Sequence, residues 1–111
     1  MEKKKELLPI YEDVKSYYKK AFIVRYYDEN GLVKKTELIS YRTSILYIKN
    51  SEIYFNFKNI NNNRIYSHTT LRHIKEFIKQ HYYMLELNYK DIIVKEKLTK
   101  KDIEKLIELG N

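Results

Sequence analysis

The sequence predicts an α+β domain: an antiparallel sheet of about four strands packed on one main helix, followed by a C-terminal tail that ends in a short helix. Three observations predict it. Aromatic and β-branched residues alternate between turn-forming residues from Ser16 to Lys58. A stripe of helical period then runs from Leu71 to His81. Finally, Thr99 and Asp102 form a helix-start signal ahead of a narrow apolar stripe. At 111 residues the chain is one domain, 1–111, with residues 16–83 as its sheet-plus-helix core, 1–15 as an N-terminal arm and 84–111 as a tail.

The arm begins with charge, and Pro9 interrupts it. Leu7, Leu8, Ile10, Tyr11 and Val14 are too sparse for a helix, so a frayed arm or a short, late-docking helix is expected. Ser16 to Asp28 is a first strand, with Phe22, Val24 and Tyr26 on one face and Ala21, Ile23, Arg25 and Tyr27 on the other. Asp28-Glu29-Asn30-Gly31 is a turn in which Asn-Gly supplies positive φ. Leu32 to Tyr41 returns as a second strand, and its polar half, Lys34 to Glu37, is expected to extend past the core. Arg42-Thr43 interrupts the pattern before a third strand, Ser44 to Ile48. Lys49-Asn50-Ser51 turns into a fourth, Glu52 to Lys58, with Ile53, Phe55 and Phe57 inward.

Asn59 to Asn63 is a loop by composition, and Arg64 to Tyr66 is an extended lead-in. Ser67 is placed to cap the main helix, with Tyr66 and Leu71 as its hydrophobic staple. The helix runs from Thr69 to about Tyr83. Leu71, Ile74, Ile78 and His81 face the sheet, with Phe77 beside them, and Arg72 and Glu76 lie i,i+4 on a flank, worth only a few tenths of a kcal/mol if paired and exposed. Met84 to Leu98 fits either a strand or a continued helix. Thr99 then caps a last helix with Ile103, Leu106 and Ile107 inward and Gly110 as its stop.

The net charge of +7 and a pI near 9.4 invite a nucleic-acid reading. Two features oppose it. Lys, Ile, Asn and Tyr, all with A/T-rich codons, make up nearly half of the chain, so base composition supplies much of the lysine. The arginines, better forks for phosphates and base edges, are only Arg25, Arg42, Arg64 and Arg72. The chain has no cysteine, which excludes a disulfide scaffold, a thiolate metal site and a cysteine nucleophile. No apolar run reaches the length of a membrane span, and the N-terminus has no secretory pattern. The expected location is the cytoplasm.

Three segments carry a resemblance: Ser16-Tyr17-Tyr18-Lys19-Lys20-Ala21, Ser40-Tyr41-Arg42-Thr43, and Tyr66-Ser67-His68-Thr69-Thr70-Leu71-Arg72-His73-Ile74-Lys75-Glu76-Phe77. The pattern SYYxKA, SYxT, YSxTTxRHIxEF resembles a group of small proteins of unknown function found in phages and conjugative elements of low-GC bacteria. It covers roughly residues 16 to 80. The longer first hairpin and the asparagine loop depart from it. The resemblance implies a mobile-element origin and a strand-rich, then helical layout, and no particular activity.

Catalytic patterns are sparse. Ser67 and His73 lie six residues apart across a helix start, with no acid in an obvious orienting position. His68, His73 and His81 have no metal-ligand spacing, and the only glycines, Gly31 and Gly110, build no phosphate loop. No catalytic residue, metal or cofactor is therefore expected. What remains is tyrosine. Tyr17, Tyr18, Tyr26, Tyr27, Tyr41, Tyr47 and Tyr54 all fall on predicted strands, where a Tyr/Lys face suits a macromolecular partner.

The expected function is a non-enzymatic accessory protein that binds a host protein or a protein–nucleic-acid complex, as an anti-CRISPR-like inhibitor of host defence. The alternative is direct DNA or RNA binding through the same face. The candidate binding residues are Tyr17, Tyr18, Tyr41, Arg42, Thr43, Arg72 and His73.

Overall fold

The computed structural model describes residues 1–56, 68–93 and 97–110. Five strands form one antiparallel sheet in chain order: β1 (Glu2–Glu6), β2 (Ala21–Tyr27), β3 (Val33–Ser40), β4 (Thr43–Lys49) and β5 (Glu52–Phe55). Three α-helices follow among the described residues: α1 (His68–Gln80), α2 (Leu87–Ile93) and α3 (Lys100–Gly110). The α+β class holds, with one strand and one helix more than the sequence predicts.

The period of two sets which residues face the helices. In register, Ile23 lies opposite Leu38, Leu38 opposite Leu46, and Leu46 opposite Phe55. The next row is Arg25, Thr36, Ile48 and Ile53. Against this face α1 buries Leu71, Ile74, Phe77 and Ile78, the stripe expected from its spacing. Each such side chain contributes about 1.5–3 kcal/mol of burial. Thr36 is fully buried in this row, so the polar half of β3 enters the core at that position, while Val33 and Lys34 before it are exposed. On the opposite face Phe22, Tyr26, Tyr47 and Tyr54 are half-exposed. Tyr47 and Tyr54 stack at 5.1 Å, and the Lys35 amine lies 4.4 Å from the Tyr26 ring and 5.1 Å from that of Tyr47.

Three expectations are corrected. The arm is neither frayed nor helical at its start: Glu2 to Glu6 pair with Tyr26 to Phe22 as an edge strand, and Leu7 is fully buried beyond it. Ladder hydrogen bonds come from the backbone, so five charged side chains do not prevent them. Second, Ser16 to Lys20 are not strand. Tyr17 and Tyr18 sit in a turn before β2, and Tyr41 sits in the turn after β3. Third, the tail joins the core. Leu85, Tyr89, Ile93, Leu98, Ile103 and Leu106 pack into the same buried cluster as Leu7 and Ile23.

The helix-start signal at Thr99 forms a complete capping box. The Asp102 N–H donates to Thr99 Oγ1 at 3.2 Å, and the Thr99 N–H donates to Asp102 Oδ2 at 2.8 Å. The first hairpin turns at Asp28–Leu32, where Gly31 has φ +79° and Asp28 Oδ1 accepts from the N–H groups of Asn30 and Leu32.

Candidate functional site

One end of the sheet is built from two turns side by side. Lys20 N–H closes the first onto the Tyr17 carbonyl at 3.0 Å. The second joins β3 to β4 across Tyr41 and Arg42. The Tyr41 N–H donates to the Lys20 carbonyl at 2.8 Å and ties the two together. Both turns hold their central residues in left-handed backbone: Tyr18 at φ 53°, Lys19 at 60°, Tyr41 at 50° and Arg42 at 68°. This is the geometry of a type I′ turn, for which Asn-Gly is the unstrained choice. A bulky residue there costs about 1 kcal/mol or more. Tyr18 is 79% exposed and Tyr41 47%, with Lys19, Lys20 and Arg42 exposed around them.

Beneath the turns lies a buried polar frame. His73 is fully buried on α1, and its Nδ1 meets Ser40 Oγ at 2.8 Å. Ser40 Oγ also meets Thr70 Oγ1 at 3.1 Å. The His73 ring packs edge-on against Tyr17 at 4.6 Å and tilted against Tyr41 at 5.8 Å. Its Nε2 finds no hydrogen-bond partner among the described residues. Burial, helped by Arg72 and opposed by Glu12, lowers the imidazole to about 4, so His73 is neutral at pH 7.

The frame continues to the surface through Glu12. Tyr17 Oη donates to Glu12 Oε1 at 2.6 Å, and Arg72 Nε donates to Glu12 Oε2 at 2.6 Å. Burial raises the Glu12 carboxyl, but these two donors outweigh it and hold it below the usual carboxylate value. Burial and the Glu12 carboxylate push the Tyr17 phenol well up.

Glu76, one turn further along α1, is buried and holds the chain segment after Pro9. Its carboxylate accepts from the N–H groups of Ile10, Tyr11 and Glu12 at 2.9–3.2 Å and from Gln80 Nε2 at 2.7 Å. Gln80 Nε2 also donates to the Leu8 carbonyl at 2.7 Å. Arg72 and Glu76 are therefore not an exposed pair. Each binds the N-terminal segment instead.

The structure thus gathers Tyr17, Tyr18, Tyr41, Arg42, Arg72 and His73 at one end, with Thr43 beginning β4 beside them. Tyr17 and His73 form the buried interior of this end, and Tyr18, Tyr41 and Arg42 form its surface. Leu71 is buried under the sheet. The expected cap and staple residues Tyr66 and Ser67 lie outside the described residues. Sequence reasoning missed Ser40, Glu12 and Glu76. Ser40 and Glu76 had a local signal, since they are fixed positions of the SYxT and YSxTTxRHIxEF segments. The hydroxyl that His73 meets is that of Ser40, and both groups are sealed from solvent, so the pair offers no nucleophile to a substrate in this conformation.

Among the described residues no three His, Asp or Glu side chains gather to hold a metal ion, and no helix is long and apolar enough to cross a membrane.

Fold and site define a small α+β protein whose most elaborated end is an aromatic, basic surface on a buried polar frame. Residues 5–103 match DUF8033, a family of unknown function, and the chain belongs to that family. No curated protein and no solved structure matches it.

Proposed function

We propose that this chain is a non-enzymatic accessory protein of a mobile element that docks its Tyr18–Tyr41 end on an acidic protein surface of the host. Its role is that of an inhibitor of host defence in the manner of an anti-CRISPR. One observation carries the docking: two exposed tyrosines and an arginine occupy left-handed turn positions where Asn-Gly would make a more stable protein. Strain retained at an exposed site is a mark of function. Tyr and Arg are the residues that most often anchor protein interfaces. The sheet's Tyr/Lys face supports nucleic-acid stacking less well. Lys35 already lies on two of its rings, and the hydroxyls of Tyr26 and Tyr54 already donate to Glu37 and Glu52.

The test places a photocrosslinking phenylalanine analogue at position 18, 41 or 54 of the full chain in lysate of a low-GC bacterium. Positions 18 and 41 are expected to capture one protein in stoichiometric yield, and position 54 to capture none. Tyr41→Ala should weaken binding to that protein about 30-fold, the scale of a single anchor. Capture of nucleic acid, with affinity that falls steeply with salt, would replace this reading by the nucleic-acid one.

A further inference from the structure

We propose a second docking surface: the open edge of β1, to which a partner protein adds an extended segment with an acidic centre. Its residues are not those of the Tyr18–Tyr41 end. Among the described residues β1 pairs with β2 alone and leaves its other side open. The phase of the ladder is fixed at both ends. The Tyr27 N–H donates to the Met1 carbonyl at 2.8 Å, and the Leu7 N–H donates to the Ala21 carbonyl at 2.9 Å. Hydrogen-bonded pairs alternate along an antiparallel ladder, so Lys3 and Lys5 also turn their N–H and C=O groups toward β2. Glu2, Lys4 and Glu6 turn theirs outward. No turn or loop backbone among the described residues takes up these groups. Three residues therefore offer donors and acceptors at the spacing that a further strand needs.

Charge decides the occupant. The side chains of Lys3 and Lys5 fall on the helix-facing side of the sheet, in line with Arg25 and Ile23. Among the described residues no carboxylate forms an ion pair with Lys3, Lys5 or Arg25. On the other side Lys4 lies between Glu2 and Glu6, its amine 4.5 Å from the Phe22 ring. An added strand thus meets Glu-Lys-Lys-Lys-Glu side by side. Opposite charges across a strand pair stabilise it, and like charges destabilise it. The matching segment has three acids in a row, flanked by lysine. The lysines that discourage an apolar strand at this edge favour that one.

The test titrates a cyclised hairpin peptide, whose outer strand reads Lys-Glu-Glu-Glu-Lys, into the full chain and follows amide exchange. Exchange at Glu2, Lys4 and Glu6 is expected to slow by about tenfold or more, while Lys3 and Lys5, already bonded to β2, change little. A hairpin whose outer strand copies β1 is expected to slow none of them. Lys3→Glu with Lys5→Glu should weaken the acidic hairpin by about tenfold. Lys4→Pro should weaken it by about as much, since the N–H it removes points away from β2 and an edge strand tolerates proline. Exchange at Leu7 reports that β1 stays in the sheet in both variants. Tyr18→Ala with Tyr41→Ala should leave hairpin binding unchanged. No slowing with the acidic hairpin, equal slowing with both hairpins, slowing spread evenly from Glu2 to Glu6, or binding that survives both β1 variants would overturn the assignment.

Discussion

Turn 41–42, between β3 and β4, and turn 50–51, between β4 and β5, close opposite ends of the same strand. Both hold two residues at positive φ, with Asn50 at 53° and Ser51 at 66°. One uses Asn-Ser, the other Tyr-Arg. Asparagine tolerates the left-handed region, so turn 50–51 is chosen for folding. Tyr-Arg in the same geometry is chosen against folding. A buried histidine lies toward each end, His73 on α1 and His81 immediately after its last residue. His81 is satisfied on both nitrogens. Its Nδ1 lies 2.7 Å from the Phe77 carbonyl and its Nε2 3.1 Å from Arg25 Nη2. A guanidinium only donates, so Nδ1 carries the proton and Nε2 accepts. His73, under Tyr41, keeps one nitrogen unpaired among the described residues. A buried polar atom without a partner among the described residues lies toward both ends, Nε2 of His73 and Oγ1 of Thr36 opposite Ile48, so it is the strained turn that sets the Tyr41 end apart.

The largest expected effect is on pH dependence. Burial lowers both His73 and His81 to about 4, and Arg72 near the first and Arg25 and Lys5 near the second add to it. The unfolded chain, with histidine near 6.5, binds protons first as pH falls. Stability is therefore full above about pH 6.5 and lost as pH drops toward 4, by about 1.4 kcal/mol per pH unit for each histidine. Urea denaturation between pH 7 and 5 should show this slope, and His73→Asn and His81→Asn should each remove about half of it. A flat profile would break the description of both ends.

The next effect concerns the strap, the segment after Pro9 whose N–H groups Glu76 holds. Glu76→Ala removes the acceptor for three backbone donors and should destabilise by about 2–4 kcal/mol. Amide exchange should quicken at Tyr11 and Glu12 but not at Asn56, whose N–H donates to the Ile45 carbonyl. Equal quickening at both places would mean global loosening, not release of the strap.

The smallest effect separates the turns most directly. Tyr41→Asn with Arg42→Gly should stabilise by about 1–2 kcal/mol while removing binding. Ser51→Gly should stabilise by about 0.5–1 kcal/mol and leave binding intact. If the Tyr41/Arg42 exchange destabilised instead, packing of Tyr41 on His73 would be its reason for being there.

Much of this fold was legible because it rests on local patterns. The α1 stripe, the Thr99 box, and the breaks at Arg42 and at Asn50-Ser51 depend on residues within a few positions of one another. The site was legible only in part. Tyr17 and Tyr18 favour strands by type, but the chain turns there, because Tyr17 is drawn inward by Glu12 and His73. Glu76 on the flank of a stripe reads as solvated. It is buried because its partners lie more than 60 residues away in the chain. Strand β1 has no periodicity to read, since all five of its side chains are charged.

That last strand has a consequence for the chain in a crowded cell. Glu-Lys-Lys-Lys-Glu reads the same in both directions. If two molecules met along their open β1 edges in full register, parallel or antiparallel, every residue would face its own kind, acid on acid and amine on amine. A palindrome of charge thus works as a terminator: it lets the strand join its own sheet and turns away an identical stranger.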